Sequence, residues 1–190
     1  MNLIAQDFIV YPDDTPLSKT LRPLFAAANG FSFPIVIEEK NSNQFTFDFD
    51  QTLAKQLALH RAAPTTLSLP KEVRKELDFA FTYEGNIVAV EVEKSNSDKI
   101  LYDFMKFHIY LSHGATAAVL ILPRNWPHRS GEVNMFKNAV HRYNLCREHG
   151  FGAPAFFDKC LIVGYEQAMP DGRPLTRDLR RELIQLRLIP

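Results

Sequence analysis

The chain has 190 residues, 46% hydrophobic and 23% charged, enough for one domain with a sizeable core. Its 22 basic residues balance 22 acidic ones, which excludes a protein that coats nucleic acid through bulk positive charge but not one with a local basic cleft. The opening MNLIAQDFIVYPDD lacks the basic region and continuous apolar stretch of a secretory signal, no window reaches the ~18 apolar residues of a membrane span, and Cys146 and Cys160 form no C-x-x-C pair. The expectation is a single cytoplasmic domain, residues 1–190, with buried free thiols and no disulfide or zinc site.

In chain order, residues 16–28 suggest a helix that Asn29-Gly30 ends and that Pro23 must start, kink or break. FPIVIEE at 33–39 and FTFDF at 45–49 read as short strands, and Asp50 is placed to N-cap a helix through Arg61. Pro70 opens a short helix that leads into LDFAFTYEGNIVAVEVEKSN, residues 77–96.

That stretch predicts a β-hairpin. Phe79, Phe81 and Tyr83 alternate with polar or small residues, as do Val88, Val90 and Val92, and Glu84-Gly85-Asn86 between them suits a tight reversal. With Glu84-Gly85 as the loop, Asp78 lies opposite Glu91; with Gly85-Asn86, it lies opposite Glu93. Either register puts Asp78, Glu91 and Glu93 on one face, because strand side chains alternate. A three-residue loop without a bulge would instead put Asp78 opposite Val92.

Further along, Ser97 or Asp98 caps a helix running to His113, with Gly114 as its stop and Ile100, Leu101, Phe104, Phe107 and Leu111 as its apolar stripe. TAAVLIL at 116–122 has the continuous apolar character of a strand buried on both faces. PRNWPHRSGE reads as a loop, followed by a helix over 132–149, a strand within FFDKCLIVGYE and a charged C-terminal helix in LTRDLRRELIQL. The order of elements predicts an α/β (α+β) mixed sheet flanked by helices.

Three carboxylates crowded on one face raise one another's pKa unless a cation neutralises them. Hard oxygen donors without Cys or His favour Mg²⁺ over zinc. The competing reading is an acidic solvent face, and Ile87, Ala89, Ala80 and Thr82, which share the face, speak against it.

EVEKSNSDKILYDFMKFHIYLSHGATAAVLILPR, residues 91–124, together with the hairpin, resembles the BamHI/BglII (BstYI-like) group of type II restriction endonucleases within the PD-(D/E)xK superfamily. The resemblance runs from about Lys75 to Asn134. Glu93 resembles the BamHI branch, where an acid replaces the usual lysine, and Ser95-Asn96 resembles the BglII branch. It implies a restriction-endonuclease-like fold and Mg²⁺-dependent, sequence-specific hydrolysis of double-stranded DNA, with a GATC-containing palindrome as the first guess. Asp78 and Glu91 would hold Mg²⁺, and Glu93 would act as general base or second ligand, with Glu72 or Glu76 as a further acid.

Lys94, on an ideal strand, points away from the three acids and is not given the missing lysine's role. Ser95 and Asn96, with Arg124 and Arg129 in the later loop, are the candidate DNA contacts. Lys94, Lys99, Arg142 and Arg147 are further positive positions. Cutting a palindrome implies a homodimer, through helices 98–113 and 132–149, and a cognate DNA methyltransferase in the same system. The alternatives are a structure-selective or repair nuclease of the superfamily and a non-catalytic DNA-binding protein of this fold.

Overall fold

The computed structural model describes residues 2–34, 42–94, 96–128 and 131–185. Seven strands form its central mixed sheet: β1 (Asn2–Tyr11), β2 (Phe31–Pro34), β3 (Ala63–Pro64), β4 (Phe79–Tyr83), β5 (Asn86–Val92), β6 (Ala117–Pro123) and β9 (Cys160–Ala168). Their order across the sheet is β2-β1-β9-β6-β5-β4-β3. β5, β6 and β9 run parallel, while β1, β2, β3 and β4 join by antiparallel pairing. β6 and β9 lie at the middle, and every residue of β6 is buried, which is why its sequence does not alternate.

Helices cover both faces, so the α/β class with a mixed sheet flanked by helices is as expected. One face packs Val88, Val90 and Val92 of β5 against Leu21, Leu24 and Phe25 of α1 (Pro16–Ala27) and Phe49, Leu53 and Leu57 of α2 (Ser42–Leu59). Leu183 of α7 (Arg177–Gln185) joins that core. The other face packs Ala89, Leu120 and Ile162 against α4 (Lys99–Ser112), α5 (Met135–Glu148) and α6 (Pro154–Phe157). Successive residues of β5 therefore report to different helical layers.

The hairpin adopts the first of the two two-residue registers. Phe79 pairs with Val90 and Tyr83 with Asn86, leaving Glu84 and Gly85 as the loop with φ of 45° and 76°. Two consecutive left-handed residues make a type I′ turn, whose twist matches that of the strands. Continued by one residue, this register sets Asp78 against Glu91.

Four expectations need correction, the helix expected over 132–149 among them, since it starts only at Met135 after its cap Asn134, and one strand was not foreseen. Residues 45–49 are not a strand: they lie inside α2, whose buried residues Phe49, Leu53 and Leu57 recur every four positions. Asp50 is consequently no N-cap but a mid-helix residue. PRNWPHRSGE is not simply a loop, since β7 (Trp126–His128) and β8 (Gly131–Val133) pair as an antiparallel ribbon. The opening segment, given no element from sequence, is β1, paired with both β2 and β9. Its register shifts between Gln6 and Ile9, and Asp7 has a φ of 52°, so a bulge interrupts the alternation that would have marked it. Of the expected strand at 33–39, Phe33 and Pro34 belong to β2 and the remainder lies outside the described residues.

Candidate active site

β5 delivers acids and a lysine to the carboxyl edge of the sheet with alternating orientation. Glu91 continues the parity of Ile87 and Ala89 and enters the layer beneath α4, where it is 4% exposed. The acid-bearing face is thus covered by a helix, which disposes of the solvated-face reading. Lys106 Nζ donates to Glu91 Oε2 in a very short contact, and Tyr110 Oη donates to Oε1 at 2.5 Å. Both donors stand on α4, four residues apart, hence on one helix face. Lys106 also lies 3.1 Å from Oδ1 of Asp103, one turn back on the same helix.

Asp78, half-buried and immediately before β4, accepts the Val92 N–H at 2.7 Å through Oδ2. That bond ties the first acid to the strand carrying the second. Glu93, just past β5, accepts the Asn96 N–H at 2.9 Å, so its carboxylate organises the turn into α4. Lys94 has the parity of Val92 and points to the α2 layer, as expected of an ideal strand. Its Nζ sits 2.9 Å from Asp50 Oδ1 and 4.7 Å from the centre of the Phe49 ring.

The acids feel one another. Burial, foremost, with Asp78 adding to it, pushes Glu91 up to about 8. Burial raises Asp78, and it lifts Asp50 to about 7 and Asp103 to about 6. Burial lowers Lys94. For Lys106 burial pulls downward, but the carboxylates of Glu91 and Asp103 outweigh it and hold the ammonium above its ordinary value. Asp50, Asp78, Glu91, Glu93 and Asp103 thus face Lys94 and Lys106, five carboxylates against two ammonium groups among the described residues.

Of the acids weighed upstream, neither Glu72 nor Glu76 joins this cluster. Glu72 is exposed, and Glu76 accepts from Tyr102 Oη at 2.6 Å. Asp50 is the upstream acid that reaches Asp78 and Glu93 electrostatically. Sequence reasoning also missed Lys106, Asp103 and Tyr110. Their signal was polar residues spaced three and four apart along the side of α4 that buries Ile100 and Phe107.

The candidate DNA contacts divide. Asn96 is exposed, but its Oδ1 accepts the Asp98 N–H at 2.9 Å in a turn preceding α4. Arg124 is half-buried and donates to the Asp7 carbonyl at 3.0 Å, bracing the β1 bulge. Ser95 and Arg129 lie outside the described residues. Lys99 and Arg147 are exposed, and Arg142 lies 3.9 Å from Asp98.

Hard oxygen donors in carboxylate excess are chemically suited to a divalent cation such as Mg²⁺. Among the described residues, however, no three His, Cys, Asp or Glu side chains are arranged around a common metal position. No described helix is long and apolar enough to cross a membrane.

No family model matches this chain, and no curated protein does either. Among solved structures, it is similar to the crystal structure of restriction endonuclease BglII complexed with a DNA 16-mer: the two share 16% identity over 83% of this chain and 76% of that one, with a TM-score of 0.48.

Proposed function

We propose that the chain is a Mg²⁺-dependent deoxyribonuclease of the restriction-endonuclease-like fold, cutting double-stranded DNA as a type II site-specific enzyme. The observation that carries this reading is the electrostatic closeness of Asp78 and Glu91, one residue beyond the Phe79–Val90 pair at the open end of the β4–β5 hairpin, inside a buried cluster with more carboxylates than lysines. Crowded, desolvated acids are costly to a fold unless a cation offsets the cost. Asp78 and Glu91 are the residues that would hold Mg²⁺, and the ion would supply Lewis-acid stabilisation of phosphate charge and a more acidic water. Glu93, whose carboxylate accepts the Asn96 N–H, would orient or deprotonate water. Lys94, engaged with Asp50 in the other layer, helps position the strand end.

A homodimer suits cleavage of a palindrome. Leu101, Tyr102 and Met105 of α4 and Leu145 of α5 are exposed apolar or aromatic residues on the two helices expected to meet a second copy. Ser95, Asn96, Arg124 and Arg129 remain the proposed DNA contacts, with a GATC-containing site the first to try and a cognate methyltransferase as protection for the host DNA. For Arg124, whose guanidinium already braces Asp7, a phosphate contact is better supported than base readout.

The test is incubation of the purified chain with unmethylated phage-sized DNA in Mg²⁺ or EDTA, beside Glu91→Ala checked for folding by circular dichroism. Discrete fragments that require Mg²⁺ and vanish in the variant are expected. Smears, or cutting of branched substrates alone, would replace site-specificity with a structure-selective activity. DNA binding without cleavage would leave a non-catalytic protein of this fold.

A further inference from the structure

The arginines around α7 differ in what holds them. Arg173, in the loop before the helix, lies 2.8 Å from Asp171 Oδ2, and Arg181 lies 3.8 Å from Asp178 Oδ1. Arg180 donates through Nη1 to the Pro127 carbonyl at 2.9 Å. Arg177, the first residue of α7, makes no side-chain hydrogen bond or ion pair with any described residue. Its backbone N–H donates to Glu132 Oε1 at 3.3 Å, yet its guanidinium forms no ion pair with that carboxylate.

Arg177 is nonetheless half-buried, and its Nε is hidden from water without an acceptor. A sealed, unsatisfied donor on a charged group is a cost to the fold and calls for an explanation. The terminal nitrogens are not among the sealed atoms, so they are the part of the guanidinium that solvent or a ligand reaches. Enclosure of Nε restrains the planar fork and leaves its outer donors without a partner. Two parallel N–H donors on a fixed cation match the oxygens of a phosphate.

The place of Arg177 in the fold suits the substrate already proposed. β6 and β9 run parallel to β5. The β7–β8 ribbon, which follows β6, and α7, which follows β9, therefore leave the sheet at the edge to which β5 brings Glu91 and Glu93. α7 is tied to that ribbon at Pro127 and Glu132, residues paired across its two strands.

We infer that the Arg177 guanidinium is a contact for a phosphate of the DNA backbone, held at the carboxyl edge of the sheet by the docking of α7 on the β7–β8 ribbon. This deepens the nuclease reading and rests on it for DNA as the partner, while requiring no metal. A contact of this kind positions the duplex and reads no sequence.

The experiment is fluorescence anisotropy of a labelled duplex with the full chain, in EDTA so that no cutting intervenes, across a series of salt concentrations. Wild type, Arg177→Met, Arg177→Lys and Arg173→Met are compared, with thermal unfolding of each. Loss of one phosphate contact lowers the slope of log affinity against log salt by about 1. Arg177→Met should show that change, bind about tenfold more weakly at low salt whatever the duplex sequence, and unfold at or above the wild-type Tm because the sealed donor is gone. Arg177→Lys keeps the charge and should keep the wild-type slope. Arg173→Met removes the same charge from a residue paired with Asp171 and should leave the slope unchanged. A wild-type slope for Arg177→Met overturns the inference. So does an equal change in Arg173→Met, which would reduce the effect to bulk charge, and so does a lowered Tm for Arg177→Met, which would make the arginine structural. All three leave wild-type DNA binding, and with it the nuclease reading, standing. Folded wild type that binds no duplex sinks the inference and that reading together.

Discussion

Asp50 and Lys94, 44 residues apart, form a buried ion pair at 2.9 Å that joins α2 to the end of β5. Both are under 10% exposed, and breaking such a pair by removing one partner costs about 3–5 kcal/mol because the other charge loses compensation. Asp50→Leu and Lys94→Met should each destabilise on that scale. The double variant should be less destabilised than the sum of the two singles. Urea unfolding of the four proteins measures this, and strictly additive losses would show that the pair is not coupled.

The β4–β5 turn makes a second expectation. Glu84 has a φ of 45°, a conformation that costs an ordinary L-residue about 1–2 kcal/mol and that Asn tolerates better. Glu84→Asn should therefore stabilise the chain by up to about 1 kcal/mol. Gly85→Val, at φ 76°, should cost at least as much and, by loosening the register that opposes Asp78 to Glu91, lower any metal-dependent activity more than Glu84→Asn changes it. Unfolding midpoints and cleavage rates for both variants check this; a neutral Gly85→Val would mean that the turn does not set the register.

The hairpin was legible because strand period and turn chemistry agree over residues 79–92, while the choice between the two two-residue loops and a three-residue loop awaited the structure. FTFDF misled because Phe45, Phe47 and Phe49 alternate as a strand does. The four-residue recurrence of Phe49, Leu53 and Leu57 becomes decisive only when the segment is taken together with residues 50–59. β1 was hidden by its bulge at Asp7. In the site, the three acids on the hairpin could be grouped from sequence because neighbouring strands carry them. Asp50 and Lys106 come from helices in opposite layers, and only packing of the whole sheet brings them to one edge. Glu72 and Glu76 were considered for their closeness in sequence, which says little about distance once α3 (Lys71–Arg74) turns the chain.

Packing of α5 on the sheet gives a test independent of the charged cluster. Gly164 of β9 lies under Phe136, and a Cβ added there would come within 2.6 Å of the ring. Nothing short of a displaced phenyl group accommodates it, so Gly164→Ala should cost about 1–3 kcal/mol. Gly164→Ala combined with Phe136→Leu should recover part of the loss. Thermal unfolding of the single and double variants reads this directly, and a wild-type Tm for Gly164→Ala would contradict the close approach of α5.

The buried acids impose a pH dependence whose sign is fixed by their direction of shift. Glu91 is raised from 4.5 to about 8, Asp50 from 3.8 to about 7 and Asp103 from 3.8 to about 6, in each case chiefly by burial, and Asp78 is raised as well. Between the ordinary and the raised values the folded chain holds protons that the unfolded chain has released. The stabilisation is complete below about pH 4 and is lost progressively as pH rises to about 8, at about 1.4 kcal/mol per pH unit for each proton of difference. Urea midpoints without divalent ions should accordingly fall from about pH 5 to about pH 8. Glu91→Gln removes one titrating group while keeping acceptors and donors near Lys106 and Tyr110, so its midpoint should fall less steeply over the same interval. A cation bound among the ionised acids opposes the loss, and Mn²⁺ should raise the wild-type midpoint more at about pH 8 than at about pH 5. Parallel profiles for wild type and Glu91→Gln would show that Glu91 is ionised in the folded chain throughout this range, held so by Lys106 and Tyr110.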